Sequence, residues 1–277
     1  MRLTLLPLEG GEPPVFGVGA FESRPLFPSA AWLQHDTANY TWSDIWVTNH
    51  VAQAIIGAAL VVGFWLWMAN KQKVVPTKKQ FAGEYLYDML RNSIARDILG
   101  HDYRKYLPYL VALFSFILVN NLFGTFFLFM FPTFSKIGFV YALALCTWVL
   151  YNGAGIAKHG FFGYLKHVLI PPGVPVALLP LIIPLEFLSN IITRPITLLL
   201  RLFANLFAGH LVVMVFVVGG EYLLLHSEPL INKVAGVVAW LFSFAIFALE
   251  LLVAALQAYI FTVLTAQYVS SAIAEEH

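Results

Sequence analysis

Residues 195–218 read PITLLLRLFANLFAGHLVVMVFVV, an apolar run with one permanently charged side chain, Arg201. A guanidinium stays protonated at any accessible pH. At the centre of a bilayer it costs from about 3 to more than about 10 kcal/mol, depending on how far water and lipid adapt to it. Because ionisable groups at membrane depth are functional candidates by default, we expect Arg201 to have a partner that offsets this cost.

The composition is that of a membrane protein. Hydrophobic residues make up 60 % of the 277 residues and charged residues 11 %, far from the balance of a soluble domain. Nothing in the charge pattern indicates a nucleic-acid partner. The single cysteine, Cys146, excludes an intrachain disulfide framework or a cysteine metal cluster.

Lysine and arginine are unevenly distributed along the chain. Eight of the 16 lie between Lys71 and Lys105, whereas the first 45 residues carry two basic and five acidic residues. Since positive charge marks the inner side, we expect the N-terminus outside and the 71–105 loop inside. The lack of an Arg- and Ser-rich transit peptide favours a bacterial plasma membrane over the mitochondrial inner membrane.

Apolar stretches predict an outer segment at 1–43 followed by a membrane domain at 44–277. Its first part comprises a span at 44–70, an amphipathic inner loop at 71–105 and a helical hairpin at 106–157. These segments and the remainder of the chain predict about five or six membrane helices.

The remainder, 175–274, holds two apolar helical stretches, 175–224 and 231–274, each about twice as long as a perpendicular crossing requires. Either each stretch contains two spans joined by a tight turn, or each is one long, steeply tilted helix. Between Ile196 and Gly219 the only turn signal is Gly209, which favours the tilted pair.

The polar residues of the two stretches fit an antiparallel hairpin, in which the numbers of facing residues have a nearly constant sum. Arg201 with Gln257 gives 458, and His210 with Glu250 gives 460. Half of either sum falls at 229 or 230, where Ser227-Glu228-Pro229 is the best turn sequence. We therefore expect these two pairs to face one another across a hinge near Pro229.

Helical periodicity places Arg201, Ala204, Asn205 and Ala208 on one face, with His210 pointing the opposite way. On the second helix, a matching stripe contains Glu250, Ala254 and Gln257. Small residues let another helix approach closely, so packing alone explains the alanines. Packing does not explain a permanent cation beside a His/Glu pair, and such pairs suit proton relays.

Asn120 and Asn121 are polar at membrane depth in the second span. They form hydrogen bonds between helices, or they line a water-filled cavity. The remaining histidines considered are expected in or near loops and interfaces, without a direct function: His50, His101, His159, His167 and His226.

Four motifs resemble subunit a of F-type ATP synthases. They are the signature helix at 194–210, the last-helix motif LQAYIF at 256–261, Pro184-Leu-Glu186, and Asn121-Leu-Phe-Gly124. The resemblance covers roughly residues 100–270. Some relatives carry a carboxylate where Gly124 stands here, and some exchange the His and Glu types between the two helices.

The resemblance implies a proton-translocating stator whose last two helices pack against the c-ring. Arg201 then lies opposite the essential carboxylate of each ring subunit, between two offset aqueous half-channels. His210 and Glu250 occupy the outer half-channel, and Glu186 is a candidate lining residue of the inner one. The other proton-translocation candidates are Asn205, Gln257 and Asn121.

The resemblance also implies which binding partners the chain has. The expected partners are the c-ring, the peripheral-stalk subunit b, other ATP synthase subunits and the lipid bilayer, with no nucleic acid. No catalytic site, cofactor or metal is expected in this chain, and the transported ion, proton or sodium, depends on the ring's carboxylate site.

Two other functions remain open from the residues. A secondary transporter would also use ionisable residues near the midplane but would usually show internal repeats, and we find none. A purely structural membrane subunit explains the apolar mass but not Arg201.

Overall fold

The computed structural model describes residues 48–70, 77–125, 133–170, 175, 178–227 and 229–274. The expected outer segment at 1–43 lies outside the described residues. Within them, the chain folds into helices connected by short turns.

Eight α-helices of more than three residues are described. They are α1 Asn49–Ala69, α2 Lys78–Leu90, α3 Tyr103–Thr125, α4 Ile137–His159, α5 Phe161–Leu169, α6 Leu179–Phe187, α7 Arg194–Leu225 and α8 Leu230–Ile273. Shorter turns link or flank them: the π-helical turns Arg91–Arg96 and Leu188–Thr193, the α-helical turn Asp97–Leu99, and the 3₁₀ turns Gly100–Asp102 and Thr133–Ser135.

Five helical segments in the described part of the chain are long and apolar enough to cross a membrane. They are Asn49–Ala69, Gln80–Gly124, Ile137–His159, Leu179–Leu225 and Leu230–Ile273. The predicted all-α membrane fold is confirmed, as is the prediction that each of the last two stretches is one long helix. At 1.5 Å per residue, the 44 residues of α8 span about 66 Å, against about 30 Å of hydrocarbon. A helix of this length fits a bilayer only when it is steeply inclined or extends beyond it.

The π-helical turn Leu188–Thr193 between α6 and α7 is stabilised from α4. Pro195 has no N–H, so it cannot donate to the carbonyl of Ile191 four residues earlier. The indole Nε1 of Trp148 donates to that carbonyl at 3.1 Å, and the Tyr151 hydroxyl donates to the neighbouring Asn190 carbonyl at 3.0 Å. Side chains of α4 therefore satisfy backbone groups that the helix itself leaves open.

Helices α7 and α8 form the predicted antiparallel hairpin, the most extensive helix pair among the described elements. α7 ends at Leu225 and α8 begins at Leu230, as the turn sequence predicts. The Asn232 side chain closes the turn by donating to the Ser227 hydroxyl at 2.7 Å. α8 also packs on α3 and α4, α7 packs on α4, and α1 packs on α3.

The two hairpin helices cross in backbone contact at Gly220 and Gly236. A Cβ atom added to Gly236 would lie 2.9 Å from the Gly220 carbonyl oxygen and 3.0 Å from the Leu224 backbone nitrogen. Since backbone atoms cannot turn aside as a side chain can, this crossing requires glycine.

We expect Gly236→Val to lower the free energy of unfolding by about 1–3 kcal/mol, the usual cost of overpacking a tight contact. Gly153→Val in α4 is the matched control, because no atom lies within 4 Å of a Cβ built at Gly153. Denaturant unfolding of the two purified variants in detergent measures the difference. Equal loss in both variants would contradict the crossing.

Candidate functional site

Arg201 lies on an exposed face of α7 together with Ala204, Asn205 and Ala208. These four residues, which we call the arginine face, are the set that helical periodicity predicts. The Arg201 guanidinium makes no hydrogen bond or ion pair with any of the described residues. Within the described chain, the cation therefore stands open on a surface of small side chains.

The neighbouring arginine of the same helix is placed differently. The Arg194 guanidinium lies over the Tyr268 ring, 5.0 Å from its centroid, and that ring packs edge-on against Tyr151 at 5.8 Å. A cation over an aromatic face is stabilised by the ring quadrupole. Arg194 is thus held by its own chain, in contrast to Arg201.

A second side of α7 is buried against the rest of the molecule. Leu198, Leu202 and Leu206 repeat every four residues and are 4 % exposed or less. This seam lies roughly 100° around the helix from the arginine face. Packing of these leucines fixes the rotation of α7 and so holds the arginine face outward.

His210 and Glu250 meet inside the hairpin, as predicted. Their Nδ1 and Oε1 atoms are 3.7 Å apart, and the two side chains are only 12 % and 7 % exposed. Gly209 lies beside the carboxylate, since a Cβ built there would be 3.6 Å from Glu250 Oε1. An imidazole and a carboxylate at this separation form an ion pair when the imidazole is protonated, so the pair can hold a proton.

Gln257 contacts a residue of α7 that lies one helical turn after its predicted partner, Arg201. Gln257 Oε1 accepts a hydrogen bond from Asn205 Nδ2 at 2.8 Å, and the structure shows no such bond to Arg201. Residue numbers of this contact sum to 462 rather than 458. The one-turn shift leaves the Arg201 guanidinium without the amide that sequence reasoning assigns to it.

The three residues of the stripe on α8 share one side of the helix, as periodicity predicts, and that side faces the interior. Glu250, Ala254 and Gln257 are all buried. Asn121 on α3 is also fully buried, and its Nδ2 donates to the Ala254 carbonyl at 3.0 Å. The hydrogen bond fits the interhelical role considered for Asn121 and places this amide midway along the stripe, between Glu250 and Gln257.

Glu186 lies apart from the other candidates. It is half-buried on α6, and its Oε2 accepts a hydrogen bond from Asn190 Nδ2 at 2.7 Å. Fifteen residues, or about 22 Å of helix, separate it from Arg201. The structure therefore brings together Asn121, Asn205, His210, Glu250 and Gln257 around the hairpin, with Arg201 on the adjoining surface and Glu186 toward the other end.

Sequence reasoning missed a polar face on α1. His50, Gln53 and Gly57 are buried, and their spacing places them on one side of the helix. His50 is 1 % exposed and is the second residue of its helix, so it lies near a helix end, as the sequence predicts, but is buried there. The i, i+3, i+7 spacing of these residues was the available signal.

Known proteins of one family are similar to this chain over most of its length. The family model described as ATP synthase A chain matches residues 51–270. ATP synthase subunit a of Nocardioides sp. is 50 % identical over 231 residues, covering 83 % of either chain. The Arthrobacter sp. protein of the same name is 46 % identical, covering 75 % of this chain and 78 % of its own. The Parafrankia sp. protein is 42 % identical over 250 residues, covering 90 % and 82 %.

The five apolar membrane-length helices and this similarity, which extends over most of the chain, lead to one assignment. The chain belongs to the ATP synthase subunit a family and is a multi-pass membrane component of the ATP synthase complex.

Proposed function

We propose that this chain is the proton-translocating stator of its ATP synthase, and that Arg201 couples proton flow to rotation of the c-ring. The observation that carries the proposal is the arginine face: an exposed cation, flanked by small residues, without a partner in the described chain. The cost of such a cation at membrane depth is offset when a carboxylate of a neighbouring subunit faces it.

The coupling follows from where a ring carboxylate can be charged. Facing lipid, it must be protonated, because an unpaired anion in hydrocarbon is prohibitively costly. Facing Arg201, it can ionise, because an opposite charge within about 4–6 Å favours the charged form. A ring subunit therefore gains a proton before it turns into lipid and loses one on arrival at Arg201.

The His210–Glu250 pair delivers the proton on the outer side. The two groups are 3.7 Å apart and nearly buried, so a proton can be held between them. Their position, nine residues or about 13.5 Å along α7 from Arg201, separates proton uptake from the cation. Asn205, Gln257 and Asn121 supply polar groups along the same hairpin.

Proton release on the inner side takes place near the N-terminal end of α7, where α6 precedes it. Glu186, half-buried beside Asn190, is the candidate lining residue of the inner half-channel. Between the two half-channels, the fixed charge of Arg201 repels protons and prevents a direct leak.

The chain has a defined orientation in the membrane and defined neighbours in the complex. The N-terminus lies outside and the α2 region inside, in a bacterial plasma membrane, as the distribution of basic residues indicates. The chain contacts the c-ring through the arginine face and the peripheral stalk through subunit b, and it performs no phosphoryl chemistry itself. Each charge crossing 100 mV releases about 2.3 kcal/mol, so several protons drive the synthesis of one ATP.

We expect Arg201→Ala to abolish ATP-driven proton pumping in inverted vesicles, by about 100-fold or more, while ATP hydrolysis by the soluble sector persists. Removal of the cation leaves the arriving carboxylate without its counter-charge, so it stays protonated. Arg96→Ala is the matched control, because it removes the same charge from an exposed residue of the π-helical turn Arg91–Arg96. Normal pumping by Arg201→Ala would refute the stator role.

The role of the His210–Glu250 pair is tested by exchanging its two residue types. We expect His210→Ala to slow pumping by about tenfold, the scale on which a positioned proton carrier contributes. The double exchange His210→Glu with Glu250→His should recover much of this loss, because the 3.7 Å contact is between side chains and survives reversal. A rate unchanged in His210→Ala, or a double exchange no better than the worse single exchange, counts against the relay.

A further inference from the structure

The π-helical turn Leu188–Thr193 contains one residue more than an α-helical turn. The Arg194 N–H donates to the carbonyl of Ser189, five residues earlier, whereas an α-helix uses the carbonyl four residues earlier. The Thr193 hydroxyl donates to the Leu188 carbonyl, also five residues earlier, at 3.0 Å. Because the hydrogen bonds change from five-residue to four-residue spacing at the start of α7, one carbonyl is left over between the two patterns.

That carbonyl and the next one receive their donors from α4. The carbonyl of Asn190 is passed over at the change of spacing, and the Tyr151 hydroxyl donates to it at 3.0 Å. The Ile191 carbonyl would pair with the N–H of residue 195 in an α-helix, but Pro195 has none, and Trp148 Nε1 donates instead at 3.1 Å. The two side chains of α4 therefore complete the hydrogen bonding of the turn.

Two further helices hold the same turn. Asn190 Nδ2 donates to the Val168 carbonyl of α5 at 3.3 Å, and the Arg194 guanidinium lies over the Tyr268 ring of α8. Tyr151, which is 1 % exposed, packs edge-on against the same Tyr268 ring. The junction between α6 and α7 is therefore fixed by α4, α5 and α8 together.

A π-helical turn changes the rotation of the helix that follows it. Each residue of an α-helix advances the chain by about 100° and 1.5 Å, so Arg201 lies about 10.5 Å along an unbroken helix from Arg194. If the extra residue were absorbed into an α-helical turn while α6 stayed in place, α7 would rotate by about 100°. This angle is comparable with the one between the leucine seam and the arginine face, so the rotation would carry Arg201 away from its outward position.

We propose that Trp148 and Tyr151 are positioning residues for Arg201. By holding the π-helical turn, they set the rotation of α7 at which the guanidinium meets the ring carboxylate. Their effect is transmitted through the backbone of α7, and no proton passes through them. The inference rests on the function proposed for Arg201, because the rotation of α7 matters for transport only if that guanidinium faces a partner.

The first test removes one donor and keeps an aromatic ring in its place. In inverted vesicles carrying the complete ATP synthase, we expect Trp148→Phe to lower ATP-driven proton pumping by about tenfold, the scale on which loss of one buried hydrogen bond shifts an equilibrium. Trp67→Phe is the matched control, since Trp67 is an exposed residue of α1. Retention of the chain in the purified complex verifies assembly. Normal pumping by Trp148→Phe overturns the positioning role.

The second test separates hydrogen bonding from packing. Pro195→Ala gives residue 195 an N–H four residues after Ile191, and this group can replace the donor that Trp148→Phe removes. We expect the double variant to pump at least about threefold faster than Trp148→Phe alone, although alanine restores none of the volume of the indole. A double variant no faster than Trp148→Phe would show that Trp148 acts by packing, against the proposal.

The third test measures the rotation of α7 without relying on transport. In a Cys146→Ser background of the complete complex, spin labels are attached at Leu200→Cys of α7 and Tyr141→Cys of α4, two positions that are 50 % and 59 % exposed. A rotation of about 100° moves a side chain at about 5 Å from the helix axis by about 8 Å. We expect Trp148→Phe to add a second distance between the labels and Pro195→Ala to remove it. A single, unchanged distance in Trp148→Phe overturns the positioning role.

The two proposals fail separately. If Arg201→Ala abolishes pumping while Trp148→Phe keeps both normal pumping and a single distance, the stator function stands and the positioning role is wrong. If Arg201→Ala pumps normally, the stator function fails, whereas the distance between the spin labels still reports whether Trp148 sets the rotation of α7.

Discussion

The structure depends on a cation that its own fold does not neutralise. Arg201 is exposed on α7 and has no ion pair or hydrogen bond within the described chain, whereas Arg194, two turns earlier, lies over Tyr268. Two arginines on one helix therefore lie in different surroundings: Arg194 is held by an aromatic ring and Arg201 is exposed. Because a guanidinium cannot lose its proton, the difference leaves Arg201 requiring an anion from beyond the described residues. In the proposed function, that requirement identifies the surface that meets the c-ring.

The long hairpin makes this arrangement possible. Leucines on one side of α7 fix its rotation, while the glycine crossing at Gly220 and Gly236 brings α8 close enough for His210 to meet Glu250. α7 therefore carries an outward cation and, about 13.5 Å along its axis, the histidine that meets Glu250 of α8.

Sequence periodicity predicted the elements whose geometry is local. The arginine face and the shared stripe on α8 follow from 3.6 residues per turn, whereas the hinge near Pro229 and the His210–Glu250 contact follow from the constant number sum of an antiparallel hairpin and from the turn sequence. The remainder depends on tertiary contacts. Gln257 meets Asn205 rather than Arg201 because a constant sum of numbers ignores how inclined helices slide past one another. The π-helical turn at Leu188–Thr193 needs donors from Trp148 and Tyr151, and the burial of the polar face of α1 depends on the packing of α3 and of the 3₁₀ turn Thr133–Ser135 against it.

A density map of the assembled complex, read at Arg201, shows whether a neighbouring subunit neutralises this cation. We expect the guanidinium on the surface facing the c-ring, within about 4–6 Å of a ring carboxylate, where opposite charges perturb each other's ionisation. A guanidinium folded back onto its own helices, or extended to lipid headgroups with no ring carboxylate near it, would refute the stator role.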